Sequence, residues 1–459
     1  MRKIVHAQPC FPFNVFSEQK VIREYRAKYD SIDRFLDEHP EILNVVHKDL
    51  RRCGSSKGRG ASYSSEQVLR MSIVMIIEDL PYRETVIRVA DSDFLLNFTR
   101  IGMGKVMSFN QLCTAFKHIQ ASTWQTINAI VLDAAQRSGK ITAEKLRVDS
   151  TVCESNIHYP TDSSLLWDAY RVLARTIRYC NHYEPAWNMG NRFHDKKIKK
   201  LYTYISTHIG KANKSTKRKV NRCMRTLVER VGAVCDVAQA YALNARGIPT
   251  TSLLAPSVLD ELEHYLPLGR KVVEQSYRAQ VLGEKVPASD RIFSIFEEHT
   301  ELLKRGKARK PVEFGHMVTI GQTKEKFISF YDVRQQSLHD SVLKDIALES
   351  HKDAFGGYPQ QFTADKNYYT SMKDIERWEE EIDWMAIGKK GRRDAAEQAR
   401  EHSSQFRELQ RFRAGVEGTI SVLKRAFGLR RCRFKGFSGF AAAVGCMVLC
   451  HNLVLLSAS

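Results

Sequence analysis

The stretch "EKLRVDSTVCESNI", residues 144–157, is where the pattern of the sequence changes from helical to alternating. Leu146 and Val148 are apolar, whereas Arg147 and Asp149 are charged, and this alternation is typical of a β-strand with one buried face. Asp149 lies near the predicted end of the strand. We therefore expect a sheet to begin here, with Asp149 at its edge.

Three later segments predict further strands. "EFGHMVTIGQTKEKFISFYDVR" (313–334) predicts two strands joined by a turn, and "GGYPQQFTADKNYYTSM" (356–372) predicts a short strand that ends on Asp365. "IDWMAIGKKGRR" (382–393) predicts a strand that runs into a basic loop. A helical segment, 340–355, lies between them. Strands interleaved with helices predict an α/β domain with a mixed sheet.

The chain divides into three predicted regions. Residues 1–61 are a helical segment that ends in a basic, Gly/Ser-rich linker, and 62–140 form an all-helical domain that we expect to bind DNA. Residues 141–459 form the α/β domain, interrupted by a basic helical insertion at about 163–300. Two capping-box patterns begin helices of the second region, Ser64 with Gln67 and Ser108 with Gln111.

The charge balance is the unusual feature of the composition. The chain of 459 residues has 71 Lys and Arg against 52 Asp and Glu, a net charge of +19. Such an excess favours polyanionic partners, nucleic acid first and anionic membrane second. Eleven Lys and Arg, and no acid, lie between Lys196 and Arg225. A solvated helical face and a track for the DNA backbone both explain this run.

The ten cysteines include no CxxC pair, which agrees with free thiols in a reducing cytoplasm. Cys446, Cys450 and His451 cluster in an apolar segment, where we favour buried side chains over a metal site. The segment, 437–457, has the length of a membrane span. His451 and Asn452 interrupt it, so we expect a buried core helix and no membrane. The stretch "MRKIVHAQPCFPF" (1–13) lacks an apolar region, so we expect no signal peptide.

Three acids are candidates for one metal site. Asp149 and Asp365 each stand near the end of a strand, and the ends of strands converge on one edge of a sheet. A helix packed on that sheet could add Glu417. Carboxylates among cations suit Mg²⁺, which also binds phosphate oxygens of a substrate. A plain Arg413–Glu417 ion pair is the alternative, and three other acids compete for the site: Asp162, Asp332 and Asp340.

The helix that carries Glu417 has two distinct faces. Arg413, Glu417, Ser421 and Lys424 recur at spacings of four, four and three residues, which places them on one face. The apolar stripe consists of Phe412, Val416, Ile420, Leu423 and Phe427.

The pieces "RVDST" (147–151), "TADKNYY" (363–369) and "RAGVEGTISVLKR" (413–425) together resemble a known family. They are similar to bacterial insertion-sequence transposases of the DDE type, whose catalytic domain has a ribonuclease-H-like fold. The resemblance extends from about residue 62 to the end of the chain. It implies that Asp149, Asp365 and Glu417 are the catalytic residues and hold Mg²⁺, with Mn²⁺ as a substitute.

The resemblance also implies the roles of the neighbouring cations. Arg413 and Lys424 would contact DNA phosphate near the cleaved strand, and we expect Lys389, Lys390 and Arg392 of the basic loop to bind DNA as well. In this family a tyrosine often stands three residues before the arginine. Here that position is Gln410.

The activity implied is endonucleolytic cleavage at transposon ends followed by strand transfer into target DNA. The partners would be double-stranded DNA and at least one further copy of the chain, in the bacterial cytoplasm at the nucleoid. Three alternatives stay open from the residues alone: a silent domesticated relative that only binds DNA, a related nuclease without strand transfer, and a basic membrane protein anchored by 437–457.

Overall fold

The computed structural model describes residues 4, 19–52, 63–210, 213–304 and 311–458. The Gly/Ser-rich part of the predicted linker, residues 53–62, lies outside these ranges. Within them the chain forms sixteen α-helices: α1 (Lys20–Glu38), α2 (Glu41–Arg52), α3 (Ser65–Ile77), α4 (Tyr82–Ala90), α5 (Asp93–Phe98), α6 (Phe109–His118), α7 (Ala121–Arg137), α8 (Asp162–Tyr183), α9 (Asp195–His208), α10 (Lys214–Arg246), α11 (Ala255–Gln280), α12 (Asp340–Phe355), α13 (Met372–Trp378), α14 (Ala395–His402), α15 (Ser404–Ala426) and α16 (Phe437–Ser457). It also forms six strands: β1 (Lys145–Glu154), β2 (Glu301–Lys304), β3 (Val312–Thr323), β4 (Ile328–Val333), β5 (Gln361–Ala364) and β6 (Trp384–Ala386).

The chain folds into two compact units. The first consists of Met1–Asn156 and Gly315–Ser459, and the second of Ile157–Phe314. The second unit is therefore inserted between β1 and most of β3. The boundaries that we predict at residues 61 and 140 remain predictions, and helices α3 to α7 fall between them.

A mixed sheet forms the centre of the first unit. Within this unit the strand order is β3-β1-β5-β6, with β4 also paired to β3. β1 runs antiparallel to β3 and parallel to β5, and β5 runs parallel to β6. The predicted α/β class with a mixed sheet is thus confirmed.

The length of β1 differs from the prediction. Asp149 does not end the strand, because β1 continues to Glu154 and Asp149 itself pairs with Ile320 of β3. The parallel ladder with β5 nevertheless stops one residue earlier, at Val148 opposite Ala364. Asp149 therefore lies at the edge of the parallel part of the sheet, although the antiparallel part extends beyond it.

Helices cover both faces of this sheet. On one face, Leu146 and Val148 of β1 pack with α12 and α13 in a core that also includes Phe362 and Met385. On the other face, residues of β3 and β4 join the core formed by α1 to α7 and α16. Both predicted capping boxes are present at the starts of α3 and α6. The N-terminal helices and the sheet thus share one hydrophobic core.

The apolar segment 437–457 forms helix α16. Among the described helices it is the one long and apolar enough to cross a membrane, with a mean hydropathy of 2.0, but 83% of that window is buried. Its polar residues are satisfied inside the core, where Asn452 accepts from the Ile328 N–H and donates to the Ile328 carbonyl. His451 donates to the carbonyl of Lys326. The helix is buried in the core, as predicted.

The second unit is a helical bundle. Helices α8, α10 and α11 pack against one another, and α9 packs on α8 and α10. Their apolar faces form two adjoining cores around Leu166, Leu227 and Tyr241. β2 pairs with β3, the first three residues of which, 312–314, also belong to this unit.

Candidate active site

Asp149 and Asp365 occupy adjacent positions at the edge of two neighbouring strands. Val148 pairs with Ala364 in the parallel ladder of β1 and β5, so the next residue on each strand is one of the two acids. Adjacent strands are about 4.8 Å apart. Asp365 directly follows β5, as predicted. The sheet thus brings together two acids that are 216 positions apart in the sequence.

One oxygen of each carboxylate is held by the backbone. The Ser150 N–H donates to Oδ1 of Asp149 over 2.7 Å, and the Lys366 N–H donates to Oδ1 of Asp365 over 2.7 Å. These hydrogen bonds restrict the rotation of both side chains. Both acids are half-buried, so these oriented carboxylates remain accessible to solvent.

Arg413 joins the third acid to this pair. Its Nη1 lies 3.6 Å from Oδ2 of Asp149, and its Nη2 lies 3.7 Å from Oε1 of Glu417. The Arg413–Glu417 ion pair that we considered as the simple alternative is therefore present. Because the same guanidinium also reaches Asp149, the pair belongs to the group of acids and is not an isolated surface contact.

Helix α15, which carries Arg413 and Glu417, is attached to the sheet through Arg147. The guanidinium donates from Nη1 to the carbonyl of Phe412 over 2.6 Å, and from Nε to Oε1 of Gln322 over 2.8 Å. It also stacks 4.6 Å from the Phe412 ring centroid. Arg147 is only 4% exposed and forms no ion pair within the described ranges. Burial lowers its pKa to about 10.

The close approach of α15 to Arg147 requires a glycine. A Cβ atom added at Gly415 would lie 2.1 Å from Nη1 of Arg147. Three residues further, a Cβ at Gly418 would meet nothing within 4 Å. Gly415 therefore admits the arginine beneath the helix, whereas Gly418 has no such constraint.

Two amide side chains attach α15 at further points. Gln410 donates from Nε2 to the carbonyl of Ala386 on β6 over 2.9 Å and to Oγ1 of Thr363 on β5 over 3.3 Å. Gln322 on β3 donates to Oγ1 of Thr419 over 2.7 Å. The residue that departs from the family pattern thus holds the start of the helix against the sheet.

A network of buried hydroxyl groups connects the chain segments that carry the two aspartates. The Tyr368 hydroxyl lies 2.6 Å from Oγ of Ser150, which lies 2.8 Å from Oγ1 of Thr319. Tyr368 is three residues after Asp365, and Ser150 follows Asp149. Burial raises the pKa of Tyr368, so its hydroxyl keeps its proton. The network ties the backbones that carry Asp149 and Asp365 together.

The cations of the basic loop differ in their environment. Lys389 contacts both oxygens of Glu397 at 2.7 and 2.8 Å, and this bond raises the pKa of its ammonium. Lys390 and Arg392 are exposed and form no ion pair within the part of the chain that the structure describes. Lys424 lies further along α15, half-buried, near the Cys153 thiol.

The competing acids lie elsewhere. Asp162 belongs to the second unit and accepts from Arg291 over 2.5 Å. Asp332 on β4 pairs with Arg334 at 2.9 Å, and Asp340 is the first residue of α12. Of the acids considered, Asp149, Asp365 and Glu417 are the ones that the sheet and Arg413 link together.

The chemistry of these residues suits a divalent cation. Among the described residues, no three His, Cys, Asp or Glu side chains form a ready-made metal cluster. Mg²⁺, however, needs only one or two carboxylates, with water and substrate phosphate as its other ligands. Asp149 and Asp365 provide two oriented carboxylates. The Arg413 guanidinium lies between Asp149 and Glu417, which shows that these acids attract positive charge.

The comparison with protein families agrees with this geometry. Residues 301–453, about a third of the chain, match the family model described as "Transposase DDE domain". This part of the chain is similar to the transposase DDE domain family. The match includes Asp365 and Glu417, while Asp149 lies upstream of it on β1. No curated protein and no solved structure matches the chain.

Two features of the candidate site are missed by sequence reasoning. Arg147 belongs to the motif "RVDST", but alternation alone places it on a polar face instead of beneath a helix. Tyr368 looks like part of a loop. A possible signal for Arg147 is its spacing, since an arginine two residues before Asp149 shares the face on which α15 packs.

Proposed function

We propose that the protein is an active, bacterial DDE transposase with a ribonuclease-H-like catalytic domain. It cleaves DNA at the ends of a transposon and joins the freed ends to target DNA. The observation that supports this proposal best is the adjacency of Asp149 and Asp365 at one edge of a mixed sheet, with Arg413 within 4 Å of both Asp149 and Glu417. The family match supports the transposase class independently.

The three acids would hold Mg²⁺, or Mn²⁺ in its place. Bound divalent ions would supply activation of the attacking oxygen and stabilisation of the leaving oxygen at phosphorus. The hydrogen bonds to Ser150 and Lys366 orient two of the carboxylates before substrate arrives, which lowers the cost of ordering them. An all-oxygen donor set suits Mg²⁺ and Mn²⁺.

The cations around the acids would bind the reacting strand. Arg413 and Lys424 lie on the same helix as Glu417, and Lys390 and Arg392 are exposed on the loop after β6. Such side chains bind phosphate and position DNA without reading its sequence. A water would first attack phosphorus at the transposon end, releasing a 3′-hydroxyl, and that hydroxyl would then attack a phosphodiester of the target.

We propose that the protein acts as at least a dimer, in the cytoplasm at the nucleoid.

Substitution of the acids tests the proposal. DNA that flanks the gene, searched for imperfect inverted repeats, supplies the substrate. We expect Asp149→Asn, Asp365→Asn and Glu417→Gln each to slow Mg²⁺-dependent cleavage on the order of 10³-fold, since a bound metal ion contributes several kcal/mol. Binding to the same DNA in EDTA should not weaken.

Asp332→Asn is the matched control, because Asp332 is also an acid on the sheet but pairs with Arg334. It should cleave like the unaltered protein. Unimpaired cleavage by one of the three acid variants removes that residue from the site. Absence of cleavage by the unaltered protein with both Mg²⁺ and Mn²⁺ indicates a silent DNA-binding relative, and cleavage without joining of pre-cleaved ends indicates a nuclease.

A further inference from the structure

We infer that the hairpin of helices α9 and α10 in the second unit is a sequence-independent binding surface for the DNA backbone. This inference rests on the proposed function for its partner, since a transposase must hold DNA over more than the cleaved phosphate. Only residues 209–213 separate α9 from α10, and the two helices pack against each other. We call residues 196–210 and 213–225 of this element the basic hairpin.

The basic hairpin carries unbalanced positive charge. Ten of the eleven Lys and Arg between 196 and 225 lie in described positions, and all ten are exposed. In the part of the chain that the structure describes, none of the ten pairs with a carboxylate. One of them, Lys219, instead lies over the ring of Tyr204 at 4.8 Å.

Other arginines of the same unit behave differently. Six exposed or half-exposed arginines outside the hairpin segment have a carboxylate within 3.6 Å: Arg171 with Asp168, Arg175 with Glu261, Arg178 with Asp195, Arg246 with Asp260 and Glu263, Arg270 with Asp236, and Arg278 with Glu284. Arg192, Lys271 and Lys285 of the unit are also exposed and form no ion pair among the described residues, but they are scattered, whereas the hairpin concentrates ten such cations on two adjoining helices.

The positions of the cations do not favour the stability of the helices. Lys196 and Lys197 lie in the first turn of α9, and Lys214 and Lys217 in the first turn of α10. Cations near a helix N-terminus are unfavourable, because the helix dipole is positive at that end. Residues that cost stability without a structural benefit are typical of a binding function.

The spacing on α10 matches an extended polyanion. Lys214, Arg218, Arg222 and Arg225 recur at intervals of four, four and three residues, which places them on one face. The buried residues Val220, Met224 and Leu227 lie on the face directed into the bundle. The stripe of four cations is about 16 Å long, enough to follow several successive phosphates of a duplex. Its side chains are donors only, which suits the acceptor oxygens of successive phosphates.

The salt dependence of DNA binding by the full-length protein tests the inference. A stripe variant changes four cations together: Lys214→Gln, Arg218→Gln, Arg222→Gln and Arg225→Gln. A matched control removes four exposed arginines of the same unit that have carboxylate partners: Arg171→Gln, Arg175→Gln, Arg246→Gln and Arg270→Gln. The two variants lose the same net charge, so they differ only in where it is lost.

Binding to two unrelated labelled duplexes is measured by fluorescence anisotropy in EDTA, over a range of salt concentrations. The slope of log K against log salt should become less steep by about 3 to 4 in the stripe variant, since each phosphate contact contributes about 0.9. Both duplexes should be affected equally. The control variant should retain most of the original slope, and the stripe variant should melt at no lower temperature than the unaltered protein.

Three results would overturn the inference: an unchanged slope in the stripe variant, an equal loss in the control, or a loss for one duplex only. A stripe variant that loses binding to phosphatidylglycerol vesicles but keeps its DNA slope would assign the surface to membrane and would also overturn it. Failure of the proposed function looks different, because the slope would fall as expected while the unaltered protein cleaves no DNA. Asp149→Asn, which removes an acid of the cleavage site, should keep the full slope.

Discussion

Arg147 on β1 donates to the carbonyl of Phe412 on α15 over 2.6 Å. The arginine is two residues before Asp149, and Phe412 is five residues before Glu417. This partly buried hydrogen bond therefore connects the strand that carries the first acid with the helix that carries the third. The position of Glu417 relative to Asp149 depends on this bond and on the amide contacts of Gln322 and Gln410.

Replacing Arg147 should slow cleavage more than it weakens DNA binding. In Arg147→Met the carbonyl of Phe412 and Oε1 of Gln322 lose their donor, which costs about 1–3 kcal/mol of folding free energy. Arg147→Lys should recover only part of the rate, because one ammonium group cannot reach both acceptors. Cleavage rates at saturating DNA, anisotropy and urea unfolding separate the effects. The control is Lys145→Met on the same strand face, where only an exposed contact to Glu408 is lost.

A Met variant that cleaves at the original rate, or one whose loss of rate equals its loss of folded protein, would contradict the positioning role of Arg147.

Alanine at two neighbouring glycines of α15 should have opposite effects on stability. Gly415→Ala places a methyl group 2.1 Å from Nη1 of Arg147, so the arginine or the helix must move, at a cost of about 1–3 kcal/mol. Gly418→Ala meets nothing within 4 Å and should stabilise the helix by about 0.5–1 kcal/mol. Chemical denaturation of both variants measures the difference. Equal effects would show that Arg147 does not restrict position 415.

Gln410→Ala should lower the free energy of unfolding by about 1–2 kcal/mol, since two hydrogen bonds to the sheet are lost. Gln410→Glu should be worse, because a carboxylate cannot donate to the carbonyl of Ala386. Urea unfolding and cleavage rates provide the test. Gln405→Ala, at an exposed position of the same helix, serves as the control and should change stability by less than about 0.5 kcal/mol. A Gln410→Ala variant as stable as this control would refute the anchoring contact.

Two buried histidines should make the first unit sensitive to acid. Burial lowers the pKa of His351 and of His451 to about 4, so both rings are neutral in the folded state at pH 7. The unfolded chain takes up protons near pH 6.5 and the folded state does not, so this stability is present above pH 6.5 and is lost as the pH falls toward 4. His351→Gln and His451→Gln should each flatten the dependence of unfolding free energy on pH in this window. The exposed His402→Gln should not alter it.

The three predicted DNA contacts of the basic loop should not be equal. Lys389 is bound to Glu397, whereas Lys390 and Arg392 are exposed. We expect Lys390→Gln and Arg392→Gln each to reduce the salt slope of DNA binding by about 0.9, and Lys389→Gln to change it less while destabilising the loop. Anisotropy titrations at several salt concentrations measure the slopes. A larger change for Lys389 than for Lys390 would show that the ion pair with Glu397 opens on DNA.

Local patterns were sufficient to predict many elements of the fold. Alternation at 146–149 predicted β1 and the faces of Leu146 and Arg147, and the capping boxes at Ser64 and Ser108 predicted the starts of α3 and α6. The predicted end of β1 was wrong, because pairing with β3 extends the strand through "STVCE". The sequence of one strand alone does not show this pairing. Strand ends depend on partners that are distant in the sequence.

The sequence by itself determined the elements, the three acids and the excess of positive charge, because periodicity, capping and residue type are local properties. Only the tertiary structure decided that Asp149 and Asp365 are neighbours, that Arg413 lies between Asp149 and Glu417, and that Arg147 is buried beneath α15. Asp149 and Asp365 are 216 positions apart, and Arg147 and Phe412 are 265 positions apart. The cause of these relationships is strand register and side-chain packing, which form only when the sheet and the helix meet.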